Sequence, residues 1–169
     1  MIGYVCKYTP VEVFEAMGVE IRRIQPEVTN FNQADTLMHP NICSFTKSVL
    51  EDVLAGDYEG VVLTTCCDSI RRLYDVLKQQ CPDKFLYLLD VPRKVNDFST
   101  EMYRKNILDM VHDYEAFSGK TFDETVLKQL LERREAGQNL RTAPKNKASV
   151  HIGLMGARCS KGIIDLLEN

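Results

Sequence analysis

The sequence predicts an α/β protein with an open, mostly parallel sheet and helices packed on its faces. Two observations carry this. Val61, Val62 and Leu63 form a short, apolar, largely β-branched run, the pattern of a strand buried on both faces. A sharp turn follows, and then Ile70, Leu73, Tyr74 and Leu77 fall on one helical face. Strand-then-helix units of this kind recur along the chain, and that alternation builds parallel sheets.

Taken in order, residues 2–6 read as a first strand. A helix opens next, with Thr9 as its cap, Pro10 at the first helical position and Glu12 closing a capping box, and it stops at Gly18. Residues 19–24 alternate as a second strand. Residues 25–42 are polar and irregular, too long for a simple connector, and loops of that size are often functional. Residues 44–54 form a helix that buries Phe45, Val49, Val53 and Leu54 and ends at Gly56. After the central strand, Asp68 or Ser69 caps the helix, which leaves Cys66 and Cys67 in the strand-to-helix loop.

Residues 85–89 make another apolar strand, leading into Asp90, Val91, Pro92, Arg93 and Lys94. Residues 97–117 and 122–136 are two amphipathic helices, the second opened by a capping box from Thr121 to Glu124. This places a first, Rossmann-like domain at residues 1–137 and a polar linker at 138–149. Residues 150–155 and 160–167 add one strand and one helix, the incomplete beginning of a second α/β domain over residues 150–169. A lone strand-helix unit cannot bury its apolar face, so the sequence is expected to be a piece of a longer protein.

Bulk properties narrow the function. A length of 169 residues with 44% hydrophobic and 27% charged residues suits a globular protein of one domain and part of another. A net charge of −3 with scattered basic residues argues for neither nucleic acid nor membrane partners. No apolar run is long enough to span a bilayer, and the first residues lack a signal-peptide pattern, so the expected location is cytoplasmic. Six cysteines are many for a chain in a reducing compartment, where clustered thiols serve metal binding or reactivity rather than disulfides. The C-x-x-C spacing of zinc ribbons and thioredoxin-like motifs is missing.

Chemistry then centres on thiols at helix N-termini. Cys66 and Cys67 follow the central strand, on the side of an open sheet where ligands bind. Cys43 stands at the start of the preceding helix. Amide dipoles at such positions favour the thiolate. Two thiolates converging on one crevice suit an iron–sulfur cluster.

These residues resemble a known family. The run CSFTKSVLEDVLAGDYEGVVLTTCCDSIRRLYDVLK, followed by FLYLLDVPRK, is similar to the subunits of 2-hydroxyacyl-CoA dehydratases (the 2-hydroxyglutaryl-CoA dehydratase D-component type) and benzoyl-CoA reductases. The opening GYVCKYTPVEVFEAMG fits the family's start, and HIGLMGARCSKGIIDLLE is a weaker echo. The resemblance covers residues 2–136. It implies a [4Fe–4S] cluster held by three cysteines with one iron site open, two of the ligands being Cys43 and Cys67. The third ligand is expected in a second α/β domain beyond residue 169, and the role does not pass to Cys159.

The implied chemistry is radical. The β-proton of a 2-hydroxyacyl-CoA is not acidic, so one strongly reducing electron on the thioester carbonyl makes a ketyl that expels the 2-hydroxyl as water. The open iron acts as Lewis acid and electron donor. The implied partners are an acyl-CoA substrate, a homologous subunit in a hetero- or homodimer, and an ATP-hydrolysing iron–sulfur activator. A reductase acting on an aromatic thioester, a double-cubane-type electron-transfer protein and a metal-free α/β scaffold are the alternatives. No catalytic residue is assigned.

Cys66, His39 and Ser69 stand around the implied ligands. Cys66 reads as a buried small residue or one that tunes the cluster, His39 as a loop histidine or a hydrogen-bond donor near it, and Ser69 as a helix cap. Cys6 and Cys81 read as core or surface thiols, although Cys6 ends a strand and faces the same edge. Arg71 and Arg72 read as surface salt bridges or contacts to CoA phosphates, and His112 and His151 as structural.

Overall fold

The computed structural model describes residues 1–27, 30–138 and 164–166. Four strands, β1 (Ile2–Tyr4), β2 (Ile21–Arg23), β3 (Gly60–Thr64) and β4 (Phe85–Leu89), pair in parallel in the order β2-β1-β3-β4. The register sets Ile2 between Ile21 and Gly60, and Val62 between Tyr4 and Tyr87. Every residue of β3 is buried, as its continuous apolar run requires. Gly60 is needed where it stands, because a Cβ there would lie 2.4 Å from the Phe85 carbonyl oxygen of the neighbouring strand.

Alternate residues of β3 feed two cores. Val61 and Leu63 pack with Val49, Leu50 and Val53 of α3 (Ser44–Ala55) and with Ile70, Leu73 and Leu77 of α4 (Asp68–Gln80). Val62 faces the other way, with Phe14 of α1 (Val11–Ala16) and Met110 and Tyr114 of α5 (Asp97–Ser118). Tyr114 meets Phe14 and Phe85 edge-on, with ring centroids 5.2 and 4.9 Å apart. Leu73 is fully buried, and truncating such a leucine to alanine costs about 2–5 kcal/mol.

The strand order reverses between β1 and β3: β1 continues outward to β2, and β3 to β4. Ligand sites in such sheets lie at the carboxyl end of that switch point.

Several local expectations are corrected. Residues 25–42 contain a helix, α2 (Asn32–Leu37), whose first-turn amides of Gln33 and Ala34 both donate to the Glu51 carboxylate of α3 at 2.8 Å. Lys47 of α3 also pairs with Asp35 at 2.6 Å. Thr9 does not cap α1: Pro10 holds the cap position, the Val11 amide donates to the Thr9 carbonyl, and the Thr9 hydroxyl is buried without a partner. Glu12, freed from the expected capping box, pairs with Arg134 together with Glu15. Neither Asp68 nor Ser69 caps α4, because the helix begins one residue earlier, with Cys67 itself at the cap.

Thr121 does not open α6 (Glu124–Gln138); the Asp123 carboxylate accepts from the Thr125 amide at 2.7 Å. A capping box does form at α5, between Asn96 and Ser99.

The chain divides into two compact units, Met1–Glu135 and Ala136–Asn169. In the second, the described residues are 136–138, at the end of α6, and 164–166, which are helical. The strand expected at 150–155, nearly all of the expected linker, Cys159 and His151 lie outside the described residues. No helix among the described residues is long and apolar enough to cross a membrane.

Candidate functional site

The site is built on two helix starts. α3 and α4 are fixed to one face of the sheet by their buried aliphatic stripes, so their N-termini come to its carboxyl edge. Cys43 is the cap residue of α3 and Cys67 the cap residue of α4, both in extended backbone. Both thiols are exposed.

Cys43 is tied into its surroundings. Its Sγ lies 3.2 Å from the Thr46 hydroxyl, which is itself fully buried and so held in place. Partial burial pushes the Cys43 thiol up, but hydrogen bonds from the Thr46 hydroxyl and amide, the Ser69 hydroxyl and the Phe45 amide outweigh it, and the thiol is more acidic than usual. Ser69 belongs to the first turn of α4, two residues after Cys67, so its pull on the Cys43 thiol marks the two helix starts as neighbours.

His39 stands on the turn that enters Cys43. Its Nδ1 accepts from the Asn41 amide at 3.2 Å, and its carbonyl accepts from the Ile42 amide at 3.0 Å. The side chain is exposed. Arg71 donates to the Thr65 carbonyl at 3.4 Å, and Arg72 pairs with Asp75 at 2.9 Å.

Cys66 departs from the buried reading: it is exposed and lines a cavity of about 530 Å³. Burial of its sulfur pushes the thiol up against the Thr64 hydroxyl's opposing pull, and the neighbouring Cys67 and Cys6 thiols add to the rise. Cys6 lines the same cavity, so the strand-end thiol does face this edge, whereas Cys81 is buried in the core. The opposite wall comes from the segment after β4 and the start of α5, including Val91, Pro92 and Tyr103. The Tyr103 hydroxyl donates to the Tyr8 carbonyl at 2.7 Å, and the Val91 amide to the Thr65 hydroxyl at 3.3 Å, with Thr65 in turn bonded to Asp90. These walls were not visible as a site in the sequence, because each contact joins residues far apart along the chain.

Among the described residues, no group of three or more His, Cys, Asp or Glu side chains is arranged to hold a metal ion. The edge offers two exposed thiols at helix starts on one face and a thiol-lined cavity on the other.

Comparison with known proteins gives the family. The family 2-hydroxyglutaryl-CoA dehydratase, D-component, matches residues 6–149. The β subunit of (R)-phenyllactyl-CoA dehydratase from Clostridium sporogenes is 27% identical over 139 residues, covering 78% of this chain and 36% of the relative. The chain therefore spans about a third of the length of that curated relative. With most of its length matched, the chain belongs to the 2-hydroxyglutaryl-CoA dehydratase D-component family.

Proposed function

We propose that this chain supplies two of the thiolates holding a [4Fe–4S] cluster in a cytoplasmic 2-hydroxyacyl-CoA dehydratase, as part of one subunit paired with a homologous partner. The observation that carries the reading is that Cys43 and Cys67 are the cap residues of α3 and α4, two helices packed on one face of the sheet, and that both thiols are exposed. The family match and the dehydratase relative support an acyl-CoA thioester as substrate and loss of water as the reaction.

The donor chemistry fits the cluster as two ligands of a larger set. Both thiols are exposed, and the Cys43 thiol is already shifted toward its anion. Both sit where helix amides favour negative charge, as thiolate-bound iron requires. Cys43 and Cys67 would hold the cluster, with a third thiolate from outside residues 1–169 completing the set. When bound, it supplies a Lewis-acidic iron and a low-potential electron, delivered by a separate ATP-hydrolysing activator.

The chain's own residues prepare that site. Thr46 and Ser69 shift the Cys43 thiol toward its anion, and the bond to the buried Thr46 hydroxyl fixes its direction. Because the Asn41 amide occupies Nδ1 of His39, a neutral ring carries its hydrogen on Nε2, which is free to donate at the entrance to Cys43.

The test is cluster retention in the native subunit carrying this sequence. Cys43→Ser and Cys67→Ser are each expected to lose iron and brown colour while far-ultraviolet circular dichroism stays unchanged. Full iron content in either variant would overturn the ligand assignment.

A further inference from the structure

We propose that the cavity between the ends of β1, β3 and β4 and the start of α5 binds a small organic anion with an apolar body. This cavity lies on the other face of the sheet from the helix starts at Cys43 and Cys67, at the same carboxyl edge, and the inference stands whether or not those thiols hold a cluster.

Four features of the cavity lead there. Its volume, about 530 Å³, lies within the rough 300–1,000 Å³ range of small-molecule sites. Its walls are apolar and aromatic, from Tyr8, Val91, Pro92 and Tyr103. They are also preformed: Tyr103 is bonded to Tyr8 across the opening, and Thr65 joins the loop after β3 to Asp90 and Val91 after β4. A site with fixed walls binds without first having to order them.

The fourth feature is charge. Arg93 and Lys94 are consecutive, exposed and on the cavity lining, and neither forms an ion pair among the described residues. No aspartate or glutamate lines the cavity. Of the two carboxylates close in sequence, Asp90 is taken up by Thr65, and Asp97, in the first turn of α5, is not on the lining. The amide of Ser99 is satisfied by Asn96, so the cationic side chains rather than the helix end supply the anion contact. Two unneutralised cations beside an apolar hollow select an anion carrying a hydrophobic group, a carboxylate or phosphate ester on an aromatic or branched body.

Cys6 and Cys66 make the site measurable, since both lie on its lining while Cys43 and Cys67 do not. The native subunit carrying this sequence is treated with N-ethylmaleimide in the presence of hydrocinnamate, phenyl phosphate, hydrocinnamyl alcohol or inorganic phosphate, and each cysteine's labelling is followed by peptide mass mapping. At roughly ten times its Kd, the preferred aromatic anion is expected to slow labelling of Cys6 and Cys66 about tenfold. Labelling of Cys43, on the other face of the sheet, stays unchanged. Whichever of the two aromatic anions protects better identifies the head group as carboxylate or phosphate. The double variant Arg93→Glu, Lys94→Glu changes only exposed side chains, and it is expected to abolish the protection. The proposal fails if neither aromatic anion protects, or if the alcohol or inorganic phosphate alone protects equally well. It fails too if protection survives the charge reversal.

Discussion

Replacing Glu51 with alanine removes the acceptor on which the first turn of α2 depends. The carboxylate sits on α3, is nearly buried, and takes the amides of Gln33 and Ala34 at 2.8 Å, with the Gln33 side chain at 3.4 Å. α2 has no side-chain cap of its own, since Phe31 occupies the cap position. Losing one capping acceptor costs about 1–2 kcal/mol. A second stranded amide adds about 1 kcal/mol, toward the low end because Gln33 is exposed and water reaches it. The expected loss is therefore about 2–3 kcal/mol, and for a unit the size of Met1–Glu135 that lowers Tm by roughly 7–11 °C. Glu51→Gln keeps an oxygen facing both amides and is expected to lose less than half as much. Urea and thermal unfolding of the two variants measure this directly. If Glu51→Ala unfolds within about 0.5 kcal/mol of the parent, as an ordinary surface change does, then α2 is not held from α3 in this way.

Two further outcomes follow from the titrating groups. Thr46→Val keeps the shape of a fully buried side chain but removes its hydroxyl from Cys43, so the pH profile of iodoacetamide alkylation at Cys43 is expected to move to higher pH. Ser69→Ala moves it the same way by less, and a profile unmoved in both variants would contradict the hydrogen-bonding account of that thiol's acidity. Burial first, then the negative charge of Glu59 and the hydrogen bond to it, push the Tyr114 phenol up to about 12. Below about pH 10 the phenol is protonated in both the folded and unfolded chain, and its contribution to stability is fully present. As pH rises from there toward about 12 the unfolded chain ionises first, and that contribution is lost. Tyr114→Phe, which keeps the ring packed on Phe14 and Phe85, is expected to flatten this alkaline decline in urea-unfolding free energy.

What the sequence made legible was whatever local patterning controls. The apolar run at β3 and the helical face from Ile70 to Leu77 announced the parallel sheet and the helix after it, and both cores are built from those residues. The same alternation put Cys43 and Cys67 at helix starts. Devices that reach across the chain were not legible. α2 escaped notice because its capping carboxylate lies 17 residues further on. The Thr9 capping box failed because a backbone turn at Pro10 satisfied the helix start first and sent the hydroxyl inward. Cys66 could not be assigned to the cavity without knowing that Tyr103 folds back on Tyr8, 95 residues away.

Iron and acid-labile sulfide, measured together in the anaerobically purified native subunit, test the central claim most directly. About four irons and four sulfides per subunit are expected, as one cubane requires. A colourless, correctly folded protein that stays free of iron after anaerobic reconstitution would contradict it, and the assignment of Cys43 and Cys67 as cluster ligands would fall.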